Sequence, residues 1–219
     1  SVYASLDDLL SNQEKKDFEK LVGMNHSLAQ TVKQCKATIS YPPNGLPMLL
    51  YGPTGTGKSL IAKLTYEWAR NHGVIAKDGQ FVQVNCSEYA NNPELLTANL
   101  FGHVKGAFTG AEKDNEGLIA LADNGVLFLD EVHELKAECQ EKLFLFMDQG
   151  IYHRVGDNEK WYKSNVRIVF ATTENPDKVL LKTLMRRIPM TITIPSLEQR
   201  GTQERIELLY DIFSQEEKR

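Results

Sequence analysis

The residues best suited to chemistry lie in a glycine-rich loop whose pattern is G-x-x-x-x-G-K-[ST]. In such a loop the backbone N–H groups point inward and bind a polyphosphate. The lysine of the pattern, Lys58, would reach the β- and γ-phosphates of a nucleotide, and the Ser59 hydroxyl would hold Mg²⁺. The residues that we predict to bind the nucleotide here are Gly52, Pro53, Thr54, Gly55, Thr56, Gly57, Lys58, Ser59 and Leu60.

The segments on either side of this loop support a functional interpretation of the pattern. Residues 48–51 form a short apolar run that is typical of a buried strand. After the loop, Leu60, Ile61, Leu64 and Trp68 recur at helical spacing. The loop thus joins a strand to a helix N-terminus, which favours an anion. The alternative, a glycine-rich turn with an exposed lysine, does not account for this context.

A second candidate site follows the apolar run at residues 125–129. Asp130 would bind Mg²⁺ directly or through water, and Glu131 would act as the general base on the attacking water, as in a Walker B strand. Residues 130–133 also have the D-E-x-H form found in helicases, but that class needs two nucleotide-binding lobes and this chain has residues for one. We expect His133 to begin a helix rather than to act in catalysis.

Composition excludes several classes of function. The 219 residues are 42% hydrophobic and 25% charged, as in ordinary globular proteins. No apolar run approaches the roughly 18 residues of a membrane span, and the first residues lack the features of a signal peptide. A net charge of −4 argues against a general DNA-binding surface. Three widely spaced cysteines without metal-site spacing indicate buried thiols in a reducing compartment, and we expect a cytoplasmic protein.

Predicted strands alternate with predicted helices along most of the chain. This order predicts an α/β fold with a mostly parallel five-stranded sheet and helices on both faces. Residues 1–20 are expected to form a linker or short helix, residues 21–200 the α/β domain, and residues 201–219 the start of a further helical part. A hairpin is predicted within residues 151–163. The predicted strands are residues 48–51, 81–85, 125–131, 166–173 and 190–194, and the predicted helices include residues 26–39, 93–101, 118–122, 137–147 and 202–217.

A loop between glycines carries the next informative pattern. Besides a helicase, the phosphate loop and the acid pair are compatible with a protein-unfolding or loading motor and with a nucleotide switch that assembles without hydrolysis. The loop has no titratable side chain and too few apolar residues to form a core element, so we expect it to make contact with a partner. Its residues are Gly106, Ala107, Phe108, Thr109, Gly110 and Ala111.

This sequence, GAFTGA, and several flanking segments resemble the central AAA+ domain of sigma-54-dependent transcription activators, the bacterial enhancer-binding proteins. The resemblance covers about residues 21–205, and its details are nearer to the LevR-like subgroup, which regulates sugar-uptake operons. The matching segments are residues 81–86, 100–111, 125–131, 154–156, 166–167 and 195–200.

The resemblance implies a function. Members of the family assemble as rings, usually hexamers, and hydrolyse Mg²⁺-bound ATP between subunits. The loop with Phe108 and Thr109 projects toward sigma-54 and remodels the closed promoter complex of the RNA polymerase holoenzyme. Asn85 matches the asparagine that restrains the Walker B glutamate, and Arg186 matches an arginine that reaches the γ-phosphate of a neighbouring subunit. DNA binding would belong to other domains.

The chain departs from the family pattern at two positions. Leu180 stands where the first of two arginines is usual, so that Arg186 and its neighbour Arg187 are the candidates for action on a neighbouring subunit. Thr173 stands where the sensor residue is usually asparagine; it can still bond a phosphate or water, with a shorter reach. The family's second sensor lies in a helical lid, which would follow residue 219.

Overall fold

The five central strands form one parallel sheet. The computed structural model describes residues 16–216, and the side chains of residues 16–214. The strand order is β2-β3-β6-β1-β7, and every neighbouring pair is parallel. The predicted fold class and all five predicted strands are confirmed. The strands of this sheet are β1 (Met48–Tyr51), β2 (Phe81–Asn85), β3 (Val126–Asp130), β6 (Arg167–Thr172) and β7 (Met190–Thr193).

Eight α-helices within the described residues accompany the sheet, together with a short antiparallel hairpin. The hairpin strands β4 (Ile151–Tyr152) and β5 (Tyr162–Lys163) lie within the predicted hairpin. Short 3₁₀ turns cover Asp17–Lys20, Cys86–Tyr89 and Val132–Glu134. The α-helices are α1 (Ala29–Ile39), α2 (Lys58–Asn71), α3 (Pro93–Phe101), α4 (Leu118–Leu121), α5 (Ala137–Gln149), α6 (Pro176–Val179), α7 (Lys182–Met185) and α8 (Thr202–Glu216).

Side chains alternate along each strand, and the sheet therefore contributes to two separate cores. Met48 and Leu50 of β1 face the core beneath α1 and α2, whereas Leu49 faces the core beneath α3, α4 and α5. The helix predicted over residues 26–39 is observed as α1, and its Val32, Cys35 and Ile39 are buried. The helices therefore pack on both faces of the sheet, and the two cores fix the positions of the strand ends.

Two details of the cores were outside the sequence prediction. On α5, Leu143 and Phe146 are buried, and Phe144 and Met147 are partly buried. Phe18 packs into the core with α1 and α2. Residues 1–15, within the predicted linker or short helix, lie outside the described residues.

The three cysteines are free and buried, as the sequence indicated. Cys35 is on the buried face of α1, and Cys86 and Cys139 lie in the opposite core. Burial raises the pKa of the Cys35 thiol to about 12 and that of the Cys139 thiol to about 11. These thiols therefore behave as small apolar side chains.

A buried ion pair fastens the first turn of α8 to the body of the domain. Arg200 Nε donates to Glu204 Oε2 at 3.3 Å, and Arg200 Nη2 donates to the Val22 carbonyl at 2.7 Å. The Ser27 N–H and hydroxyl both donate to the Glu204 carboxylate. Burial by itself raises the pKa of Glu204, but the hydrogen bonds from Ser27 and Arg200 outweigh it and leave this pKa below its ordinary value.

We expect Glu204→Gln to reduce the free energy of unfolding by about 3 kcal/mol at neutral pH, because Arg200 would stay buried without its counter-ion. Urea denaturation measures this, with Glu207→Gln on the exposed face of α8 as a control that changes stability by less than about 0.5 kcal/mol. Since the pKa of Glu204 is lowered in the folded state, its contribution is present above pH 4.5 and is lost as the pH falls through the lowered value. Equal effects of the two substitutions would contradict the prediction.

Candidate functional site

The phosphate loop leaves the end of β1 and enters α2 at Lys58. Gly55 and Gly57 have φ values of +77° and +92°, in the left-handed region that favours glycine. A Cβ atom on either would meet no atom within 4 Å, so conformation rather than space requires glycine there. The Thr56 hydroxyl donates to the Pro53 carbonyl at 2.9 Å and closes the loop on itself.

Lys58 is buried inside this loop. Its ammonium group donates to the carbonyls of Gly52 at 2.7 Å and Pro53 at 2.8 Å. Burial lowers the pKa of Lys58, and the carboxylates of Asp130 and Glu131 offset part of that shift. The loop therefore holds a partly desolvated cation beside two carboxylates, at the N-terminus of a helix that favours an anion.

Two side-chain oxygens that could ligate a metal ion lie close together at the end of β3. The Ser59 hydroxyl, in the first turn of α2, donates to Asp130 Oδ2 at 3.3 Å. Within residues 16–216 no three His, Cys, Asp or Glu side chains cluster as a complete metal site. Mg²⁺ does not need such a cluster, because it is usually bound through one or two protein oxygens with phosphate and water oxygens completing its shell. Ser59 and Asp130 fit that requirement.

Glu131 has a backbone that few residues of its kind adopt. Its φ of +53° and ψ of +48° are left-handed, and the chain turns there from β3 into the 3₁₀ turn Val132–Glu134. Its Oε2 atom accepts a hydrogen bond from the Thr173 hydroxyl at 3.3 Å and lies 3.3 Å from His133 Nε2. The structure thus places Thr173, the residue at the sensor position, directly on the carboxylate that we predicted to be the base.

Asn85 ends the strand next to β3 and pairs in register with Asp130. Its side-chain oxygen accepts hydrogen bonds from the Ser87 N–H at 3.1 Å and from the Ser87 hydroxyl at 2.8 Å. The amide is therefore adjacent to the acid pair, but its oxygen caps the following 3₁₀ turn. The restraint of Glu131 by Asn85 stays a prediction.

The adjacent arginines after α7 have different surroundings. Arg187 donates from Nε and Nη2 to Asp148 Oδ1 at 2.9 and 2.7 Å, and its guanidinium lies over the Phe144 ring. Arg186 is exposed and has no side-chain hydrogen bond or ion pair within the described part of the chain. Leu180 is buried in the core, so a hydrophobic contact stands at the position where the family has an arginine.

The loop at residues 106–111 is closed by its own backbone hydrogen bonds. The Gly106 N–H donates to the Ala111 carbonyl at 2.8 Å, and the Ala111 N–H donates to the Phe108 carbonyl at 3.0 Å. Phe108 is half-buried, with its ring edge-on to His103 at a centroid distance of 4.9 Å, whereas Thr109 is exposed. The aromatic ring is held by a neighbouring side chain, because a packed ring costs less than an exposed one.

The base of this loop is tied to the hairpin of β4 and β5. His103 exchanges backbone hydrogen bonds with Asn115, and the Val104 N–H donates to the Val155 carbonyl at 3.1 Å. A Cβ atom on Gly156 would come within 2.7 Å of the Ala107 side chain. The base of the loop is therefore fixed by backbone hydrogen bonds to residues 115 and 155 and by its packing against Gly156.

One contact in the site was missed by sequence reasoning. His133 does lie in a short 3₁₀ turn, but its ring also touches the Glu131 carboxylate. The D-E-x-H pattern was the only sequence signal for this contact, and it pointed toward a different class of protein.

Within residues 16–216 no helix combines the length and apolar character that a membrane crossing requires.

The family described as the sigma-54 interaction domain matches residues 21–192. The transcriptional regulatory protein LevR of Bacillus subtilis (strain 168) is 50% identical over 201 residues, which are 92% of this chain and 22% of LevR. The transcriptional regulatory protein DagR of Salmonella typhimurium (strain 14028s / SGSC 2262) is 41% identical over 221 residues, covering 98% of this chain and 23% of DagR. The chain thus spans less than a quarter of the length of these two relatives.

A solved structure of similar fold is NtrX from Brucella abortus in complex with ATP, with a TM-score of 0.67 and 27% sequence identity over 95% of this chain and 45% of that one. Fold, family match and relatives agree with one another. The chain belongs to the sigma-54 interaction domain family and is an AAA+ ATPase-type domain of the kind found in sigma-54-dependent transcription regulators.

Proposed function

We propose that this domain binds Mg²⁺-ATP, hydrolyses it, and uses the loop at residues 106–111 to remodel the closed complex of sigma-54 RNA polymerase. The observation that carries the proposal is the convergence of five side chains at one edge of the sheet. Lys58 lies inside the phosphate loop, Ser59 touches Asp130 at 3.3 Å, and Glu131 lies beside them with Thr173 on its carboxylate. The similar NtrX structure is a complex with ATP, which supports the same ligand here.

In the proposed reaction, Lys58 exchanges its two carbonyl partners for phosphate oxygens, while the loop N–H groups bind the same phosphates. Ser59 and Asp130 would hold Mg²⁺, which neutralises charge on the β- and γ-phosphates. Glu131 accepts a proton from the water that attacks the γ-phosphorus. The bond to the bridging oxygen then breaks, and ADP and phosphate leave.

Hydrolysis is proposed to occur between subunits of a ring, which in this family is usually a hexamer. Arg186 is the candidate for contact with a neighbour's γ-phosphate, because it is exposed and its guanidinium is not engaged within the described residues. Arg187 instead is held by Asp148 of its own subunit. Helix α8 is proposed to begin the helical lid, and DNA binding is assigned to domains other than this one.

The loop at residues 106–111 is the proposed contact with sigma-54. Its exposed Thr109 and half-buried Phe108 lie between two glycines with φ values of +80° and +95°. These glycines allow the backbone to rearrange at little cost. Release of Phe108 from His103 would expose an apolar side chain that a partner surface could bury.

The chemistry is tested by two substitutions. We expect Lys58→Ala to lose tight ATP binding, because it removes the main cation from the phosphates. Glu131→Gln should retain binding and lose at least about 10²-fold in turnover, because an amide is a poor base. ATP affinity and phosphate release measure the two effects in the full-length protein. Normal hydrolysis by the glutamine variant would exclude Glu131 as the base.

Action across subunits is tested by mixing two inactive variants. Arg186→Ala is expected to lose about 10³-fold or more in turnover, as when an arginine finger is removed. Mixed with Lys58→Ala subunits it should recover part of the ATPase activity, because some sites then combine an intact loop with an intact arginine.

The matched control for this experiment is Arg187→Ala, which removes the contact with Asp148 of the same subunit. Its effect should not be complemented by Lys58→Ala subunits. If rings shown to contain both subunits recover no activity, Arg186 does not act in trans.

The loop is tested by separating hydrolysis from coupling. Phe108→Ala and Thr109→Ala should leave ATP hydrolysis within about two-fold and abolish both binding to sigma-54 in the presence of ADP–aluminium fluoride and promoter opening. The Phe108 ring contacts His103 and Thr109 is exposed, so we expect neither substitution to alter the phosphate loop or the acid pair. Retained promoter opening would favour an AAA+ motor with another target, and absence of hydrolysis in the unmodified protein would favour a nucleotide-dependent assembly switch.

A further inference from the structure

His133 contacts the Glu131 carboxylate and is itself held by the sheet. Its Nε2 atom lies 3.3 Å from Glu131 Oε2, and its Nδ1 atom lies 3.2 Å from the Thr172 hydroxyl. Thr172 is fully buried at the end of β6, and its hydroxyl oxygen also accepts the Glu174 N–H at 3.1 Å. The ring is therefore fixed at one nitrogen and presents the other to the carboxylate.

The chemistry of the partners determines the direction of these bonds. An ionised carboxylate can only accept, so the contact at 3.3 Å becomes a hydrogen bond in the tautomer that carries its proton on Nε2, which donates to Glu131. A neutral ring then has a lone pair on Nδ1, and the Thr172 hydroxyl can donate to it at 3.2 Å in place of the Glu174 carbonyl, which lies 3.4 Å away. The second acid near the ring, Glu134, is farther away, with its Oε1 atom 3.8 Å from Nε2. Glu131 is thus the principal acceptor for this nitrogen.

Both donors to Glu131 act on the same oxygen. The Thr173 hydroxyl and His133 Nε2 converge on Oε2, and within the described residues no hydrogen-bond partner lies on Oε1. Asn85 is not one of the donors within the described residues: its Oδ1 accepts from Ser87, and its Nδ2 makes no hydrogen bond to Glu131. The carboxylate is therefore oriented through Oε2, which leaves Oε1 to accept a proton from water.

We infer that His133 is a positioning residue for hydrolysis, which orients the Glu131 carboxylate by a hydrogen bond from Nε2 to Oε2. This inference rests on the proposed function, since it assigns His133 a role in the reaction that Glu131 performs. His133 itself does not touch the nucleotide, and it acts through Glu131. Its loss therefore lowers the rate of the chemical step and leaves ATP binding unchanged.

The experiment compares His133→Ala and His133→Gln in the full-length protein by steady-state hydrolysis of Mg²⁺-ATP. We expect His133→Ala to lower kcat about ten-fold, the size of effect that follows the loss of one hydrogen bond to a charged group. KM and the affinity for ATP should stay within about two-fold, because only the chemical step is affected. His133→Gln, whose amide N–H can replace Nε2–H, should recover most of the lost rate.

His72→Ala is the matched control, because His72 follows the far end of α2 and stacks on Trp68. It should leave kcat unchanged. The inference would be overturned if His133→Ala left kcat unchanged or raised KM at constant kcat. It would also be overturned if the alanine and glutamine variants lost equal activity, or if His133→Ala were faster, which would indicate a restraint on Glu131. If the unmodified protein binds ATP without hydrolysing it, the proposed function itself fails. If it hydrolyses ATP and His133→Ala does so at the same rate, only the role of His133 fails.

Discussion

In a parallel sheet every strand ends at the same edge, and the site of this protein depends on that constraint. Tyr51 of β1 is in register with Thr172 of β6, and Asn85 of β2 with Asp130 of β3. The loop that follows β1 and the acid pair that follows β3 are therefore neighbours, with β6 between their strands. Helix α2 adds its N-terminus at the same place, so a binding site for an anion lies beside two carboxylates.

The elements of the fold were predictable from the sequence because their signals are local. Strands β1, β3 and β6 are short, mostly apolar runs buried on both faces, and the edge strands β2 and β7 alternate buried with exposed residues. The signal of the phosphate loop is also local, since its glycines, Lys58 and Ser59 all lie within residues 52–59. The resemblance to the family rested mainly on the loop at residues 106–111, because its exact amino-acid sequence is more specific to the family than its composition.

Several of the contacts that the sequence did not predict join residues far apart in the chain. Thr173 and Glu131 are brought together by two strands of the sheet, and the bond between Arg187 and Asp148 joins α5 to the turn after α7. No pattern within a short window distinguishes Arg186 from Arg187, because the difference between them lies in the position of Asp148. Phe108 likewise gives no local sign that His103 would hold its ring.

The backbone of Glu131 has a consequence for the balance between stability and activity. A left-handed conformation costs about 1–2 kcal/mol for a residue other than glycine, and Glu131 adopts it at φ +53°. Glycine would remove this strain, but it would also remove the carboxylate. With Glu131 as the proposed base, selection for a more stable domain and selection for hydrolysis act in opposite directions at this position, and the rest of the core must offset the local cost.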